Sequence, residues 1–83
     1  MADHRSIDEL KVLGAARPAP EAAVSLYHRA FAEFGMRALW SSRPVEKPTI
    51  ADLLAITESL RVEGGVPGRR LAEQIVTACR AAL

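Results

Sequence analysis

The sequence predicts an all-α protein, a single small bundle of four or five helices. Three observations carry that prediction. Fifteen of the 83 residues are alanine, the best helix former and a residue depleted in strands. Apolar residues recur at steps of three and four, as in Val24, Tyr27, Phe31, Phe34 and Ala38, and no stretch alternates with the period of a half-buried strand. Proline and glycine cluster at 18–20, 44–48 and 64–68, dividing the chain into helix-length pieces.

The first helix opens at Ser6, which forms an S-x-x-E capping box with Glu9 and carries Ile7, Leu10 and Leu13 on one side before Gly14. Pro18 and Pro20 then break it, since each removes a donor and pushes the preceding residue out of the α region. A second helix starts at Pro20 or Glu21 and carries the Val24–Ala38 stripe. On a continuous helix, Met36, Leu39 and Trp40 would lie about 140° to 240° from Phe34, on the opposite face. Either Gly35 ends the helix and a short one runs from Met36 to about Ser42, or one long helix is covered on both sides. The break is the preferred reading, because glycine is the usual helix-ending residue.

Residues 41–49, with two prolines and no periodicity, read as an extended surface connector. Thr49 offers an N-cap with Asp52 three residues on, and Ile50, Leu53, Leu54, Thr57 and Leu60 mark the inner face of a helix ending near Glu63. The sequence GGVPG at 64–68 supplies a left-handed stop, with Pro67 starting the last helix. That helix carries two apolar rows, Leu71, Ile75, Ala78 and Ala82 beside Ala72, Val76, Cys79 and Leu83. So wide a stripe implies more than one neighbour.

A chain of 9.0 kDa forms one core, so residues 1–83 read as one domain, with disorder the default for residues 1–5. Surface scaling gives roughly 4,900 Å² folded against roughly 13,000 Å² unfolded, which is marginal for a lone monomer. The net charge of +1 argues against a protein that coats nucleic acid or an acidic membrane. The single cysteine, Cys79, excludes an internal disulfide and a multi-cysteine zinc site and fits a reducing cytosol. The charged N-terminus is unlike a signal peptide, and no apolar run spans a membrane. A cytoplasmic location is expected.

Few residues could carry chemistry. His4 lies in the terminal segment, and His28 has Val24, Ser25, Phe31 and Ala32 at helical spacing, which leaves no local metal pair. Cys79 sits among Ile75, Val76 and Leu83 and reads as a buried, inert thiol. No catalytic residue, metal site or cofactor site is expected, and the protein reads as non-enzymatic. Arg69 and Arg70 at the start of the last helix oppose the helix dipole and could contact an anion or nucleic acid. The bland alternative is an αα-hairpin turn with two solvated arginines, and a P-loop's lysine and hydroxyl are missing.

A partner surface has better support. Met36, Leu39 and Trp40 lie off the main stripe, and tryptophan is favoured at interface centres. Tyr27, Phe31 and Phe34 form the adjacent apolar face. These six residues are the candidate partner-binding set, although a core role for Trp40, closing one end of the bundle, competes with it.

The segments A-L-W-x-x-R-P-V at 38–45, P-T at 48–49, S-L-R-V-E-G at 59–64, R-R-L-A-E-Q-I from Arg69 and A-C-R-A-A ending at Ala82 resemble a recurring block in short uncharacterised bacterial all-α proteins. The resemblance covers roughly residues 31–82. Some such proteins are encoded beside nucleotidyltransferase-like toxin proteins, so the resemblance implies an accessory or antitoxin-like partner. It brings no catalytic motif to transfer. The expected function is therefore protein contact, as a homodimer or a small subunit. The alternative is a DNA-binding regulator using the 50–82 helix pair, with Arg69, Arg70, Glu73 and Gln74 at the N-terminal end of a recognition helix.

Overall fold

The computed structural model describes residues 6–36, 39 and 44–83. Its described residues form an all-α bundle of four helices, α1 (Ile7–Gly14), α2 (Glu21–Phe34), α3 (Ile50–Glu63) and α4 (Gly65–Ala82). Both expected caps start their helices. The Ser6 hydroxyl accepts from the Glu9 N–H at 3.1 Å. Thr49 makes the reciprocal box, its hydroxyl accepting from the Asp52 N–H at 3.2 Å while the Asp52 carboxylate accepts from the Thr49 N–H at 2.8 Å. Such a cap satisfies donors that the helix leaves orphaned.

The α3–α4 hairpin is the centre of the molecule, with α1 against α3 and α2 against α4. Its link is shorter than the sequence suggests. Only Gly64 separates the two helices, and Gly65, at φ 66°, opens α4 two residues before Pro67. That left-handed conformation suits glycine. The chain then folds back so closely that a Cβ on Gly68 would lie 2.6 Å from the Leu60 carbonyl oxygen.

The core is built by Leu10, Tyr27, Phe34, Leu39, Ile50, Leu53, Leu54, Leu60, Leu71, Ile75, Val76 and Cys79, with Ala23, Ala30 and Ala72 between them. The expected inner face of α3 is buried and extends to Ile56. On α2 the buried row is Ala23, Tyr27, Ala30 and Phe34, whereas Val24 and Phe31 are half-buried. The face is rotated because alanines let α2 sit close to its neighbours, and larger side chains then fall at the edges. On α1, Leu10 and Gly14 are buried while Leu13 is exposed.

Helix α2 ends at Phe34 with Gly35 as its cap, as expected, but Gly35 is right-handed at φ −53°. The short helix expected over 36–42 and Ala38 of the stripe lie largely or wholly outside the described residues, and Leu39 is not helical. The connector departs from a simple surface strand: Val45–Lys47 are exposed but Pro48 is buried. The Ala19 N–H donates to the Pro48 carbonyl and the Ile50 N–H to the Arg17 carbonyl, each at 3.0 Å. This pairing ties the α1–α2 junction to the start of α3.

Candidate functional site

Tyr27 stands at the middle of α2. Its ring is buried against Phe31, with centroids 5.1 Å apart, and its hydroxyl accepts from the Val45 N–H at 2.9 Å. His28 is exposed, its ring edge-on to Tyr27 at 5.8 Å. Cys79 is buried, and desolvation pushes its pKa up to about 11, so it stays protonated near neutrality. Among the described residues no three His, Cys, Asp or Glu side chains gather into a metal-binding group.

The expected partner-binding set is divided by this packing. Tyr27, Phe34 and Leu39 are buried in the chain's own core, so they present no surface to another chain. Their apolar area is taken up by α3, α4 and the connector, which the periodicity of α2 alone does not reveal. Phe31 is half-buried, Met36 is 96% exposed, and Trp40 lies outside the described residues.

Arg69 and Arg70 are both exposed. Because α4 begins at Gly65, they stand in its second turn rather than its first, where the unfavourable dipole interaction has largely decayed. Neither has an ion-pair partner among the described residues, in contrast to Lys11, which pairs with Glu58 at 2.9 Å, and Arg29, which pairs with Glu33 at 3.0 Å.

Arg70 stands between two hollows. One, of about 530 Å³, is lined by Arg70, Glu73, Gln74, Thr77, Ala78 and Ala81 along the outer side of α4. The other, of about 310 Å³, lies between α2 and α4 and is lined by Arg29, Glu33, Pro67, Arg70, Leu71 and Gln74. With Arg70 and Gln74 bordering both, the two hollows adjoin as a shallow, open groove divided at Arg70 and following α4 from Pro67 to Ala81, about 21 Å at the helical rise. Its small side chains, Thr77, Ala78 and Ala81, make one end shallow and apolar, while charge concentrates at the other. Of its lining, the sequence marked Arg70, Glu73 and Gln74 as polar contacts at the start of the last helix, whereas Arg69 lies outside it. The end at Thr77 and Ala81 went unmarked, because small residues leave no periodic apolar signal.

No described helix is long and apolar enough to cross a membrane. Comparisons with protein-family models, with curated proteins and with solved structures match nothing.

Proposed function

We propose that the protein works by contact with another polypeptide, as a non-enzymatic accessory or antitoxin-like subunit in the cytoplasm, and that it docks through the outer face of α4. The observation that carries this reading is the pair of adjoining hollows along α4, about 530 Å³ on one side of Arg70 and about 310 Å³ on the other. The apolar end at Thr77, Ala78 and Ala81 adjoins a charged end at Arg70 and Glu73. Arginine is enriched at interfaces and among the residues that anchor them, and Arg70 stands beside that apolar end. Arg70 and Glu73 are exposed and have no ion-pair partner among the described residues, so a docked chain can meet their charges there.

A photoreactive amino acid placed at Thr77, in the middle of the groove, tests this in the native cytosol. Irradiation should yield a discrete covalent adduct with a polypeptide, and the same probe at exposed Glu21 should not. If Thr77 gives no adduct, the groove is not a docking face and the reading fails.

A further inference from the structure

We infer that the occupant of the α4 groove is α4 of a second copy of this chain, packed antiparallel about a two-fold axis. This rests on the proposed function and names its partner. Val66, Arg70, Glu73, Thr77 and Ala81 fall within about 80° of one another at 100° per residue, so they share the outer face. Along that face the properties run in order: an exposed apolar knob at Val66 (59% exposed), a cation at Arg70, an anion at Glu73, then the hollow at Thr77, Ala78 and Ala81.

Such an order is self-complementary when reversed. Set Arg70 of one copy opposite Glu73 of the other, and two-fold symmetry supplies the reciprocal pair. The same register, four residues further along each helix, brings Val66 opposite Thr77 of the second copy, over the hollow that continues to Ala78 and Ala81. The charge match and the shape match thus require one register, although they involve different residues. A parallel pairing would set Arg70 against Arg70 and Val66 against Val66, leaving both hollows empty. One helix pair buries less than the roughly 1,200–2,000 Å² of a standard interface, so the dimer should be weak, with a dissociation constant on the order of 10–100 µM.

Sedimentation equilibrium on the full chain tests the arrangement through a charge swap. Wild type should associate over that range. Arg70→Glu and Glu73→Arg should each weaken association about tenfold or more by opposing like charges, and the double variant Arg70→Glu/Glu73→Arg should restore it to within about threefold. Both positions are exposed, and unchanged far-ultraviolet dichroism will check that each variant folds. A wild type that stays monomeric near 1 mM, single variants that associate like wild type, or a double variant weaker than either single would each overturn the inference. The Thr77 photoadduct separates this failure from that of the broader reading. An adduct of twice the chain mass supports the self-pair, one with a different polypeptide overturns the self-pair and leaves protein contact standing, and no adduct overturns both.

Discussion

Cys79 is a residue whose chemistry the fold sets far from its ordinary behaviour. Burial raises its thiol from 9.0 to about 11, so the folded state holds this proton more tightly than the unfolded chain. The resulting stabilisation is fully present below about pH 9 and is lost as pH rises towards 11, amounting to about 2 to 3 kcal/mol over that window. Denaturant unfolding at successive alkaline pH values should show this decline, and Cys79→Ala should remove that part of it while other groups continue to titrate. A variant with the wild-type slope would show that the thiol does not drive it. Tyr27 shows a second residue-scale effect. Its hydroxyl reaches from the core to the Val45 N–H, so a buried ring also holds the connector that precedes α3. The sequence places Tyr27 on the inner stripe of α2, yet nothing in its spacing indicates which backbone group, 18 residues on, will meet its hydroxyl.

At the scale of elements, signals that act locally were readable and those that depend on close approach were not. The Thr49 and Ser6 caps involve residues three apart; the Thr49 box forms in full, while at Ser6 the hydroxyl caps the Glu9 N–H and the Glu9 carboxylate accepts from that hydroxyl rather than from the Ser6 backbone. The inner faces of α3 and α4 were legible because Leu53, Leu54, Leu60, Leu71 and Ile75 are large and helically spaced. The α2 face was misread by part of a turn, since Ala23 and Ala30 carry the contact and an alanine-rich helix gives them no distinguishing size. The groove on α4 was largely invisible for the same reason. If α4 is anchored as described, Ile75→Ala, at a wholly buried position, should cost about 2–5 kcal/mol. Replacing exposed Glu73 with alanine should change monomer stability by less than about 0.5 kcal/mol. Chemical denaturation of the two variants measures the difference, and near-equal midpoints would mean that the inner and outer faces of α4 have been exchanged.

For the whole molecule, the Cα radius of gyration of 11.7 Å matches the roughly 11.8 Å expected of a compact chain of this length. All-α architecture was predictable because each stretch between the proline and glycine clusters independently favoured helix and none favoured strand. The α3–α4 pair was also anticipated by the hairpin reading of the 64–68 turn, whereas the packing of α1 against α3 and of α2 against α4, which joins parts distant in sequence, was not. The near-neutral charge distribution also bears on the DNA-binding alternative. A net +1, with Arg69 and Arg70 close to Glu73, supplies few of the phosphate contacts that drive counterion release. Fluorescence anisotropy with DNA from the protein's own locus should therefore show no salt-sensitive binding near about 150 mM salt. A nanomolar complex abolished by removing both arginines would instead make the 50–82 helix pair a DNA reader. The backbone pairing of Ala19 with Pro48 and of Arg17 with Ile50 has a consequence for how the chain can vary. It brings the two ends of residues 20–47, the stretch that contains α2, together at one edge of the bundle. Extra residues inserted into the exposed turn at 45–47 would lengthen a loop whose ends are already joined, at an entropic cost of only about 0.6 kcal/mol for each doubling of its length. Length variation in this protein is therefore best tolerated there, while α1, α3 and α4 keep their positions.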